Sequence, residues 1–221
     1  MLKKIKKIYK KILDVVFPTH CTGCKKENTP LCIDCLNNLP PAMEVNNISN
    51  VSIFDYKDTT VKNSIWFLKY GGNKEIGKIF AYSIYDRLLE EMSEQNIFSN
   101  FHDPFLIPIP LSKKRLKKRG FNQSEILAKE MSFIDGDVSF KIATNVLYKI
   151  KDTPSQVSIK DKKKRLQNLK GCFSVKNPDN IKNRNIILID DITTTGATIA
   201  EARKTLLGAG AKKVIAFTIA H

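Results

Sequence analysis

Acidic residues are scarce in this chain. It carries 22 Asp and Glu against 37 Lys and Arg over 221 residues, a formal net charge of +15. That deficit says nothing about fold, but it favours polyanionic partners: nucleic acid, phosphorylated small molecules or an anionic membrane face. A lysine-rich background is the alternative, because Asn and Ile are abundant too. Long apolar runs are also missing. No stretch reaches the roughly 18 apolar residues of a membrane-spanning helix. The basic start "MLKKIKKIYKKILDVVF" has periodic rather than consecutive apolar residues, so no signal peptide is expected. Internal repeats and low-complexity tracts are absent. A cytoplasmic location follows as an expectation, and there the five cysteines point to metal rather than disulfides. Only three histidines occur, and none stands where it marks a general base. With 42% hydrophobic and 27% charged residues, the chain reads as globular and long enough for one domain plus a small appendage.

What is present begins with a helical stripe. Leu2, Ile5, Ile8, Tyr9, Ile12, Leu13, Val16 and Phe17 recur at helical spacing with lysines on the other face, and Pro18 ends the pattern. Such a helix needs a surface: its own domain, or else a membrane or nucleic acid. A cysteine-rich segment follows to Cys35, and Asn38 to Asn50 reads as a polar, proline-containing linker. Residues 1–40 thus form one expected unit, an amphipathic helix plus a metal-binding module, and 51–221 the other. In the second unit "VSIFDY", "FLIPIP", "NVLYKI", "NIILID" and "KVIAFTIA" read as strands. "EIGKIFAYSIYDRLLEEM", "FNQSEILAKEMSF" and "TGATIAEARKTLLGAG" read as helices. The alternation predicts an α/β fold with a mostly parallel sheet covered on both faces.

Cys21 and Cys24 form one Cys-x2-Cys pair and Cys32 and Cys35 another, seven residues apart. Four thiolates close a tetrahedral site and leave no open position, which suggests structural zinc. Buried or redox-active cysteines and iron–sulfur ligation are the alternatives, and His20 is a spare ligand beside Cys21. Cys172 stands alone and reads as a small buried hydrophobe.

The most informative stretch is "IILIDDITTTGATIAEA", from Ile186 to Ala202. Its greasy start reads as a strand buried on both faces, and ligands of parallel sheets bind beyond the carboxyl ends of the strands. Asp190 and Asp191 stand there. Thr193, Thr194, Thr195, Gly196, Ala197 and Thr198 then turn into a helix. Backbone amides of a glycine-containing turn and the positive end of a helix cradle an anion. Two acids for sugar hydroxyls beside a cradle for phosphate suit a ribose 5-phosphate derivative. The alternative is an acid pair with a threonine helix cap.

"IILIDDITTTGAT" resembles the phosphoribosyl pyrophosphate loop of type I phosphoribosyltransferases, with Thr193 standing where that family usually has an aliphatic residue. With the paired cysteines, "IPIPLSKKRLKKRGFNQSEILA" and "TPSQVSIKDKKKRLQNLKGCF", the chain is similar over nearly its whole length to the ComF family of competence proteins. The narrowest matches are Arg119 to Gln123 and the segment with Arg165, Asn168 and Leu169. The resemblance implies a parallel-sheet type I phosphoribosyltransferase fold with a small four-cysteine zinc module. It implies a ligand, phosphoribosyl pyrophosphate, taken with Mg2+. It also implies a role in natural transformation, handling incoming single-stranded DNA. Uptake-channel or helicase proteins at the inner membrane face are the further partners, which would make the chain peripheral there. The alternative activity is true transfer to a nucleobase or related acceptor.

Six cations fall within seven residues between Lys113 and Arg119. The density predicts a mobile basic loop after a strand, and transferases of this fold close such a loop over pyrophosphate. Arg115 and Arg119 are the expected phosphate forks. Lys160 to Arg165 is a second basic run for the same face; a solvated charged surface is the alternative for both. "GGNKEIGKI" imitates a nucleotide-binding P-loop, but Ile79 stands where the magnesium-binding hydroxyl belongs. Trp66, Phe67, Tyr70 and Phe121 are candidates for base stacking, with core packing the plainer expectation.

Overall fold

A computed structural model describes residues 19–43, 49–93, 101–153 and 168–221. The expected helix over 2–17, the basic run 160–165 and most of the T-P-S-Q segment lie outside them. A short helix, α1 (Ile33–Asn37), precedes strand β1 (Asn50–Phe54), helices α2 (Thr59–Tyr70) and α3 (Lys74–Ser93), and strand β2 (Phe105–Pro108). Helices α4 (Lys113–Arg119) and α5 (Gln123–Asp135) lead to strands β3 (Lys141–Ile142), β4 (Leu147–Lys149) and β5 (Phe173–Val175). Strand β6 (Asn185–Ile192), helix α6 (Ala197–Gly208) and strand β7 (Lys213–Ala220) complete the order.

Five strands form one sheet in the order β1-β7-β6-β2-β3, and every pairing in it is parallel. The apolar run in β6 exists because both its faces are covered. Ile187 and Ile189 belong to a core built with α2, α3 and α5, whereas Ile186 and Leu188 belong to one built with α6, β4 and β5. Each such side chain taken fully out of water contributes about 1.5–3 kcal/mol. Glycine fixes one close approach: a Cβ on Gly77 of α3 would sit 2.8 Å from Cγ2 of Ile126 on α5. The false P-loop glycine is therefore a helix-packing residue.

The expected mobile basic loop is corrected, and two other expectations gain detail. "NVLYKI" supplies β4, but β4 pairs antiparallel with β5 in a separate two-stranded sheet. The basic segment is a helix rather than a loop. Ser112 caps α4 by accepting the Arg115 amide at 3.4 Å, and Gly120 ends it in the left-handed region at φ 78°. Lys117, Lys118 and Arg119 fall in its last turn, where the helix dipole favours cations. The described part of the expected linker runs along β1, with the Ala42 amide donating to the Ile53 carbonyl and Asp55 to Pro40, each at 2.9 Å.

The cysteine segment has no core of its own. Cys21, Leu31, Cys32 and Leu39 belong to the same buried cluster as Phe54, Val61 and Phe217. The Thr22 and Ser64 hydroxyls, 2.7 Å apart, tie it to α2. Among the described residues no helix is long and apolar enough to cross a membrane.

Candidate functional site

After β2 the chain turns outward to β3 through α4 and α5, whereas after β6 it turns the other way, through α6 to β7. β2 and β6 are neighbours, with Ile107 level with Leu188 and Pro108 with Ile189. Their carboxyl ends therefore open a crevice where the connections diverge, the place where open parallel sheets bind ligands. The basic α4 and the acidic end of β6, about 70 residues apart in sequence, meet there because of the strand order. The direct link is Ser124, in the first turn of α5, whose hydroxyl donates to Oδ1 of Asp190 at 2.9 Å.

The two aspartates are not equivalent, because successive strand residues face opposite ways. Asp190 is partly exposed and accepts from Ser124 and from the Asp191 amide. Burial, then the neighbouring Asp191 carboxylate, push its carboxyl up to about 7, against the pull of the Asp191 amide, Lys69 and Ser124. Asp191 is 3% exposed and pairs through Oδ1 with Lys69 of α2 at 3.1 Å. Its Oδ2 is buried with no hydrogen-bond partner among the described residues, as are Nη1 of Arg119 and Oε1 of Gln123.

Raising an acid's pKa on folding makes the native state bind more protons than the unfolded chain between about pH 4 and 7. Stability is therefore lost as pH rises through that window, and the cost of Asp190 is complete above it. Asp190→Asn is expected to raise stability at pH 8 by about 1–3 kcal/mol and to change it little at pH 4. Urea unfolding at both pH values checks this; equal effects at the two would contradict it.

The turn after β6 divides in two. Thr193 is buried and its amide donates to the Ala220 carbonyl at 3.0 Å, so this residue anchors the turn to β7. Thr194, Thr195, Gly196 and Thr198 remain partly or fully exposed at the start of α6. The Thr195 hydroxyl accepts the Ala197 amide at 3.4 Å. Gly196 has φ 71°, and a Cβ there would meet nothing within 4 Å. Glycine is needed for its backbone, which leaves the amide end of α6 open to an anion.

Arg115 and Arg119 do not converge on one point. Arg115 donates to the Thr153 carbonyl at 2.9 Å. Arg119 donates to the Tyr70 hydroxyl at 3.3 Å, with its guanidinium carbon 5.0 Å from that ring's centroid. Sequence reasoning missed Lys69, Ser124 and Lys149. Burial pushes the Lys149 ammonium down, and this lysine lies within electrostatic reach of Arg115, Asp190 and Asp152. Lys69 and Lys149 sit in no recognisable motif, and Ser124 follows directly on the Arg119–Gln123 match without being part of it; only the tertiary fold brings them near Asp190 and Asp191.

A second centre lies behind α2. The Sγ atoms of Cys21, Cys24, Cys32 and Cys35 all fall within 4.8 Å of one another. Cys32 is 3.7 Å from Cys21 and 3.6 Å from Cys24. A tetrahedral ion with Zn–S bonds of about 2.3 Å holds its sulfurs about 3.8 Å apart. The cluster therefore fits a metal ion such as zinc. The Cys32 amide donates to the Cys21 sulfur at 3.3 Å, the partner a thiolate ligand needs. His20 turns away, its Nε2 4.0 Å from Glu27.

The phosphoribosyl transferase domain family matches residues 81–221. Competence protein ComFC of Bacillus subtilis (strain 168) is 33% identical over 172 residues, covering 77% of this chain and 63% of that protein. Competence protein F of Haemophilus influenzae is 32% identical over 118 residues, covering 52% and 49%. ComFC of Streptococcus pneumoniae (strain ATCC BAA-255 / R6) is 32% identical over 200 residues, covering 90% and 80%. The chain thus spans less than two thirds of the first two relatives.

Proposed function

Because this chain belongs to the ComF family and carries its phosphoribosyl transferase domain, we propose that it acts in DNA uptake as a phosphoribosyl pyrophosphate-binding protein. The observation that carries this reading is Oδ2 of Asp191, buried at the carboxyl end of β6 with no partner among the described residues; Nη1 of Arg119 and Oε1 of Gln123 are likewise buried and unpartnered among them. Leaving such groups unpaired costs about 1–3 kcal/mol each. A ligand rich in hydroxyls and phosphate oxygens removes that cost.

Asp190 and Asp191 would accept from the ribose hydroxyls. The amides and hydroxyls of Thr194–Thr198 would hold the 5-phosphate at the amide end of α6. Arg115 and Arg119, each already ordered by one contact, would take the pyrophosphate oxygens. Mg2+ would enter with the ligand, as a hard cation on its phosphate oxygens.

Calorimetric titration with phosphoribosyl pyrophosphate and Mg2+ tests the reading. Asp190→Asn and Asp191→Asn should each weaken binding at least about tenfold, the loss of a hydrogen-bonded carboxylate. Unchanged affinity in both would end the proposal.

Asp190 favours a second reading, true transfer. A carboxyl held near neutrality, partly exposed at the crevice, suits accepting a proton from an acceptor nitrogen. Pyrophosphate release with a panel of nucleobases would support it; retained binding without release would leave a binding role.

A further inference from the structure

The outward face of α2 is built unlike an ordinary helix surface. Val61, Ser64, Ile65 and Leu68 are buried, yet Trp66, Phe67 and Tyr70 are 55%, 43% and 58% exposed. Trp66 lies edge-on to Phe67 at 5.3 Å between ring centroids and 5.8 Å from Tyr70, one helical turn on. The band continues across to the Arg-Gly-Phe turn. Arg119 lies over Tyr70, and beyond Gly120 the Phe121 ring carries Lys74 at 5.6 Å from its centroid. A run of three rings is thus flanked by cations on Tyr70 and Phe121, and α4 adds its exposed lysines Lys113, Lys114, Lys117 and Lys118.

We infer that Trp66, Phe67 and Tyr70 form a base-stacking platform for single-stranded DNA, with the cations of α4 and Lys74 tracking its phosphates. Exposed rings give every base a π-face to lie on, and flanking cations answer the backbone charge; together they recognise a single strand without reading its sequence. A duplex hides its base faces and gains only the electrostatic part. A second copy of this chain is a poor occupant, because each copy brings a net charge of +15 to the same contact. The inference rests on the DNA-uptake half of the proposed function and needs nothing from the phosphoribosyl half. Lys69 and Tyr70 are consecutive, so the last turn of α2 touches both sites: Lys69 through Asp191 and Tyr70 through Arg119.

Trp66 is the single tryptophan of the chain, so its emission reports on this face alone. The full chain is titrated with oligothymidylate, with a duplex of equal length, and with phosphoribosyl pyrophosphate. Saturable quenching by the oligothymidylate, stronger than by the duplex and weakening as salt rises, is expected. Trp66→Ala and Phe67→Ala should each weaken binding of a labelled oligothymidylate about tenfold, with unfolding midpoints and phosphoribosyl pyrophosphate affinity kept. The inference is overturned if the oligonucleotide binds without touching Trp66 emission, if the duplex binds equally well, or if neither variant binds more weakly. It is also overturned if the wild type proves to be a dimer that Trp66→Ala dissolves, which would make the face a protein interface. Quenching by DNA with no phosphoribosyl pyrophosphate binding would instead remove the other reading and leave this one standing.

Discussion

Cys32→Ser is expected to lower the unfolding free energy of the zinc-loaded chain by several kcal/mol, about 5, and to release the metal. Structural zinc supplies on the order of 10–16 kcal/mol to modules that cannot fold without it; the loss is smaller here because the segment leans on a larger body. Cys32 is the sensitive position, being buried and close to the sulfurs of both Cys21 and Cys24. The damage should not stay local. Cys21, Leu31 and Leu39 share their cluster with Val61 and Phe54, and Thr22 meets Ser64 on α2. Denaturant unfolding followed through Trp66, with zinc measured by a colorimetric chelator, checks both parts. A chain that holds no zinc as purified and unfolds at an unchanged midpoint would remove the metal from the account.

Lys69→Met should be the most damaging single change at the crevice, costing about 3–5 kcal/mol. Asp191 lies under the end of α2, and Lys69 is the one cation paired with it among the described residues. Removing the partner of a buried charge costs more than the pair contributes, because the survivor stays desolvated. Lys69→Met/Asp191→Asn should recover most of the stability, since the charge then goes with its partner. Thermal unfolding of the two single variants and the double gives the coupling. Independent, additive losses would show that the 3.1 Å contact does not hold α2 to β6. The same pair bears on binding: a sugar reaching Asp191 finds one oxygen engaged by Lys69 and the other open.

Trp66, Phe67 and Tyr70 are exposed on α2. In the sequence they are base-stacking candidates with core packing the plainer expectation, and the structure leaves them outside the core. The helix is too crowded with apolar residues for one buried face: Ile65 and Leu68 fill the inward side, and the rings are left outside. Likewise the basic segment read as mobile from its charge density. Ser112 and Gly120 at its two ends hold it as a helix, and a capped seven-residue turn is local information that charge density concealed.

The sequence by itself determined the chemistry: four cysteines at ligand spacing, an acidic strand end followed by a threonine–glycine turn, a basic run, and strands alternating with helices. These are local patterns, set by hydrophobic period, backbone freedom and ligand geometry. Only the tertiary structure decided what meets what. The order β1-β7-β6-β2-β3 brings Ser124 to Asp190, sends Asp191 to Lys69, and turns three aromatic rings to water. Such partnerships join residues far apart in the chain, and their physical cause is the packing of whole layers, which no local pattern encodes.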